Sequence, residues 1–182
     1  ANANAFGEVP WEQAMADFVL THGAWHGGWC WNELVPELER LGHRAHTLDL
    51  PGGGSDNTPT SGITLDACAQ RVAAAVRAVS GPVWLVGHSM GGGPITQAAE
   101  LVSDRLEGLV YVTAGLPRTG ESLMDVLYTE GAGPISEYMV IDEAAGTSSL
   151  KEGALEACFY NTCSPAQIAR AKTLLKPAQA VG

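Results

Sequence analysis

Residues 83–92 read Val-Trp-Leu-Val-Gly-His-Ser-Met-Gly-Gly, and no other stretch limits the fold as sharply. An apolar, partly β-branched run stops at Ser89, which has Gly87 two positions before it and Gly91 two positions after. A serine at the tip of a sharp strand-to-helix turn needs that spacing, because a Cβ at either place would collide with the turn. The stretch predicts a strand over Pro82–Val86 and a helix from about Met90 to Val102, rich in small residues. Ser89 then sits near a helix N-terminus, where the dipole favours developing negative charge. The plainer alternative is a glycine-rich turn carrying an idle serine.

The rest of the N-terminal half alternates between two periods. Asp17–Thr21 is a short apolar run that suits a buried parallel strand, followed by a loop at His22-Gly23. Trp31, Leu34, Leu38 and Leu41 then form one helical face that stops at Gly42. Pro36 lies inside that pattern, so the helix either starts just before it or bends there. Arg44–Leu48 is the next strand, and a glycine-rich loop runs on to Gly62. Thr64 is placed to cap a helix whose buried stripe is Leu65, Cys68 or Ala69, Val72, Val76 and Val79. Leu109–Thr113 is a fourth strand. Strands alternating with helices predict an α/β fold, a parallel sheet covered on both faces. After Gly115 only short helical patches are expected, as an excursion laid over the sheet. Its Met124, Leu127, Tyr128, Tyr138, Met139, Phe159 and Tyr160 are candidates for pocket wall or for plain packing.

A second motif, His22-Gly23-Ala24-Trp25-His26-Gly27-Gly28, directly follows the first strand. Acyl transfer needs two backbone N–H groups aimed at an oxyanion, one after the nucleophile and one from such a loop. Met90 and Ala24 are the residues in those places. An ordinary strand-to-helix connection is the alternative.

Composition removes other classes. The chain of 182 residues carries 10 basic and 20 acidic side chains, a net charge of −10, which argues against nucleic acid as a partner. No apolar run approaches the roughly 18 residues that span a bilayer, so no membrane partner is expected. Residues 1–14 lack a basic and an apolar signal region and read as an N-terminal extension or an expression remnant, or else as a mature end left by signal cleavage. Cys30, Cys68, Cys158 and Cys163 show no zinc spacing and suit free thiols in a reducing, cytoplasmic setting, although Cys158 and Cys163 are close enough in sequence for a geometric check. Gly52-Gly53-Gly54 opens no helix, which speaks against a dinucleotide site. No cofactor and no metal is implied. His43 and His46 read as structural.

The segments Phe18-Val19-Leu20-Thr21-His22-Gly23-Ala24-Trp25-His26-Gly27-Gly28-Trp29 and Gly87-His88-Ser89-Met90-Gly91-Gly92 resemble the α/β-hydrolase superfamily. More narrowly they are similar to the branch of plant methyl esterases, hydroxynitrile lyases and bacterial esterase relatives, as are Leu48-Asp49-Leu50-Pro51-Gly52 and Tyr160-Asn161-Thr162-Cys163-Ser164. The resemblance implies a three-layer core over residues 15–115, a helical cap over 116–182, Ser89 as nucleophile, and the Ala24 and Met90 amides as oxyanion hole. It implies hydrolysis of small, largely apolar esters through an acyl-enzyme. The lyases of this branch carry threonine where this chain has Gly23, which favours ester hydrolysis over cyanohydrin cleavage.

The triad is where the pattern stops. The family order is Ser, then Asp or Glu, then His, yet all five histidines, His22, His26, His43, His46 and His88, precede Ser89. Asp125 and Asp142 follow it, but within the cap segment. The catalytic Asp and His are therefore not found in this chain, and the resemblance reads it as the N-terminal part of a longer hydrolase, lacking the last sheet strands. A non-catalytic ligand-binding module is the reading from another class. Residues 109–113 are expected to form an open sheet edge that a second copy of the chain, a C-terminal fragment or the cap itself would cover.

Overall fold

The fold is taken from a computed structural model, which describes residues 15–131 and 133–180, without the side chains of Tyr128 and Glu130. The sequence expectation for residues 1–14 lies outside the described residues.

Four parallel strands form the centre: β1 (Asp17–Thr21), β2 (Arg44–Thr47), β3 (Val83–His88) and β4 (Leu106–Val112), in the spatial order β2-β1-β3-β4. Side chains alternate across the sheet, so Val19, Val83 and Leu85 share one face and Leu20 and Val86 the other. The first face packs on α2 (Leu65–Ala78) and α3 (Gly92–Val102) through Val72, Val76, Ile95 and Ala98, all fully buried. The second face packs on Trp31 and on α1 (Leu34–Arg40) through Val35 and Leu38. Helices on both faces are what bury strands this apolar.

Local sequence accounts for the element ends. Pro36 is the third residue of α1, within the first turn, where its missing N–H has no intrahelical acceptor to lose. The Thr64 hydroxyl accepts the Ala67 N–H at 3.1 Å and caps α2. β4 starts at Leu106, earlier than the Leu109 expected, and a Cβ on its Gly108 would stand 2.6 Å from the Trp84 ring.

The segment after Gly115 differs from the expectation of helices without strands. It holds α4 (Leu123–Glu130), the short α5 (Ile135–Tyr138) and α6 (Pro165–Leu174), but also a three-stranded antiparallel sheet of β5 (Met139–Asp142), β6 (Thr147–Leu150) and β7 (Gln179–Ala180). Strands this short, one of them reading Thr-Ser-Ser-Leu, carry no alternating apolar signal. Pairing across the β5–β6 turn and with the distant Gln179 and Ala180 builds them instead.

Candidate active site

Ser89 directly follows β3 with φ +53°, a left-handed conformation that costs a non-glycine residue about 1–3 kcal/mol. Its surroundings require the strain. A Cβ on Gly87 would fall 2.7 Å from the Gly91 carbonyl oxygen, and one on Gly91 would fall 2.8 Å from that of His22. The Ser89 carbonyl accepts the Gly115 N–H at 3.1 Å, which ties the turn to the loop after β4.

Ser89, Ala24 and Met90, three of the residues singled out from sequence, meet on the wall of one cavity of about 260 Å³. The remainder of its lining is mostly apolar and comes from the segment after Gly115, including Leu123, Met124, Leu127, Met139 and Phe159. Of the pocket candidates, Tyr160 lines a second cavity of about 300 Å³ with His26, Trp31 and His88, and Cys158 and Phe159 form a wall common to both. Tyr138 lines neither. Gly23 presses against the serine, since a Cβ there would stand 2.9 Å from Ser89 Cβ and 3.1 Å from His88 Nδ1.

The chain matches the model of the alpha/beta hydrolase family over residues 18–175. It belongs to that family. A carbendazim-hydrolysing esterase of Nocardioides sp. (strain SG-4G) is 40% identical over 115 residues, which are 62% of this chain and 48% of that esterase. The chain thus spans about half the length of this relative. Pheophorbidase of Raphanus sativus is 31% identical over 180 residues, 94% of this chain and 68% of that protein. An extracellular alpha/beta-hydrolase from a Paenibacillus species superposes with a TM-score of 0.76 at 28% identity, covering 91% of this chain and 68% of that one.

In this alpha/beta hydrolase the histidines are occupied elsewhere. His22 is fully buried, its Nδ1–H donating to the Gly23 carbonyl at 2.8 Å and its Nε2 accepting the Leu50 N–H at 3.0 Å. Burial pushes its pKa down. His26 Nδ1–H donates to the Ala24 carbonyl at 2.7 Å, and Nε2 accepts the Tyr160 hydroxyl at 2.8 Å. His46 Nε2 lies 2.8 Å from Asp17, and His43 Nδ1 accepts the Ala16 N–H at 3.3 Å. His88 stands next to Ser89 in the chain, but its ring packs edge-on to Trp31 at 6.2 Å, and burial lowers its pKa too. Among the described residues nothing hydrogen-bonds the Ser89 hydroxyl, and no group of three His, Cys, Asp or Glu side chains is placed to hold a metal ion.

Sequence reasoning missed the bonds that fix the Ala24 loop. Trp25, at φ +60°, donates its indole N–H to the Ser148 carbonyl (3.1 Å) and its backbone N–H to Gln179 Oε1 (3.3 Å), and its carbonyl accepts the Lys176 N–H (2.9 Å). Partners more than a hundred residues away leave no local signal.

Proposed function

We propose that this chain carries the nucleophile of a serine hydrolase for small, largely apolar carboxylic esters. The observation that carries the reading is a strained Ser89 lining an apolar cavity whose wall also holds Ala24 and Met90. In this reading residues 15–115 are the core and 116–182 the cap that roofs the pocket. The Ser89 oxygen adds to the ester carbonyl and gives up its proton to a base. The Ala24 and Met90 N–H groups hold the oxyanion, and the alcohol leaves with a proton. Water then releases the acid from the acyl-serine. The strain at Ser89 and its helix N-terminal position support the role, as do the relatives named as esterases. Gly23 supports hydrolysis over cyanohydrin cleavage, because the space beside Ser89 is too small for a threonine without movement.

A non-catalytic binding module is the second reading, and the free Ser89 hydroxyl favours it. A fluorophosphonate probe separates the two. We expect slow labelling of the chain that Ser89→Ala abolishes, together with weak hydrolysis of short aryl esters, since losing triad members costs several orders of magnitude. Labelling that survives Ser89→Ala would sink the nucleophile. Fast Ser89-dependent turnover by the chain would show that a base is present after all.

The four free cysteines support a reducing, cytoplasmic setting. No helix of the described residues is long and apolar enough to cross a membrane. The outer edge of β4 is proposed as an association edge, for a second copy of the chain or a separate fragment.

A further inference from the structure

We infer that His26, oriented by the Tyr160 hydroxyl, is a positioning residue that fixes the peptide following Ala24 and so helps to keep the Ala24 amide in its oxyanion-binding place. The inference rests on the assignment of Ser89 and Ala24 above. The peptide plane between Ala24 and Trp25 is gripped at both ends: its carbonyl by His26 Nδ1–H at 2.7 Å, its N–H by Gln179 Oε1 at 3.3 Å. Holding that plane fixes ψ of Ala24 and the left-handed φ of Trp25, +60°, which an unsupported loop would relax. The Ala24 N–H itself lies in the preceding peptide plane, whose Gly23 carbonyl accepts the His22 Nδ1–H at 2.8 Å, so His22 and His26 each hold one of the two planes that meet at Ala24. An oxyanion donor is useful only if it already points where charge develops.

A neutral imidazole suits this task because it offers one donor and one acceptor on opposite edges. Only Nδ1–H can serve the Ala24 carbonyl, so Nε2 is the acceptor for Tyr160 OH, 2.8 Å away. Burial pushes the His26 pKa down to about 4, which keeps the ring in that form near neutral pH. The ring is also wedged, stacked on Trp29 at 5.1 Å and tilted against Phe159 at 5.5 Å. With both nitrogens engaged, His26 does not take the serine proton. It acts on the reaction through Ala24.

Three variants and one spectrum test this. His26→Asn keeps an N–H where Nδ1 stood, so the rate of Ser89 labelling by a fluorophosphonate should stay within about threefold of wild type. His26→Gln places its amide where Nε2 stood, and labelling should slow by about 10²-fold, the loss of one oxyanion donor. Tyr160→Phe should fall between them. Nitrogen-15 spectra should show the Nδ1–H tautomer of His26 in wild type, with the Nε2 resonance alone moving in Tyr160→Phe. Equal labelling of His26→Gln and wild type, equal losses in the Asn and Gln variants, or an Nε2–H tautomer would each overturn the inference. Wild type that fails to label at Ser89 would instead overturn the nucleophile, and the spectrum, which needs no reaction, still decides the tautomer. Should His26→Gln fail to fold, the Asn variant and the spectrum remain.

Discussion

Gly91 shows how closely one residue can be specified by what surrounds it. A methyl group there would meet two backbone oxygens of the β1 loop, Thr21 at 2.9 Å and His22 at 2.8 Å, and neither can swing away as a side chain would. We expect Gly91→Ala to lower stability by about 1–3 kcal/mol, the range for overpacking a tight site, and to slow any reaction of Ser89 by shifting the turn. An unchanged urea midpoint would show that the β1 loop yields freely. Such positions were legible in the sequence because their signal is local: a glycine at fixed offsets from a serine, after an apolar run. The same holds for Ser89, Ala24 and Met90, which the fold brings to one cavity. His26 and Tyr160 were not legible as a pair, since 134 positions separate them and no spacing rule reaches that far.

Among elements, β1 and β2 are joined by more than their ladder. Asp17, only 6% exposed, accepts the Arg44 Nε–H at 2.8 Å and lies within 2.8 Å of His46 Nε2. The Arg44 guanidinium, ahead of the His46 contact and against the opposing pull of burial, lowers the Asp17 pKa from 3.8 to about 2. A carboxyl with a depressed folded-state pKa stabilises the fold fully above its unfolded value and loses that contribution as pH falls toward the folded one. Asp17→Asn should therefore lose about 1–2 kcal/mol near neutral pH, allowing for the half-exposed arginine. The gap to wild type should narrow in urea titrations from about pH 5 down to about pH 3, and a constant gap would rule the pairing out as its cause. Elements of this central sheet were readable from their periods, β1 to the residue. Those of the second sheet were not, because β6 and β7 owe their conformation to each other and to Trp25 more than to their own side chains.

At the scale of the whole fold, β4 pairs with β3 on one side and, among the described residues, with no strand of the central sheet on the other. Its Val112 is 39% exposed, and Leu109 and Val110 are half-buried. An apolar edge without proline or inward charge associates readily in water. We expect self-association at micromolar concentration in sedimentation, with slow hydrogen exchange at residues 109–112 that depends on it. A stable monomer whose amides exchange fast there would refute the edge as an interface. Because the sheet is parallel, the Ala24 loop, Ser89 and Gly115 all leave from the rim where the strands end, and Asp17 with Arg44 lies where they begin. The carboxylate that answers to acid thus lies at one end of the frame and the proposed nucleophile at the other. A lineage can therefore retune how the molecule bears acid, through Asp17 and Arg44, while the wall of the Ser89 cavity stays as it was.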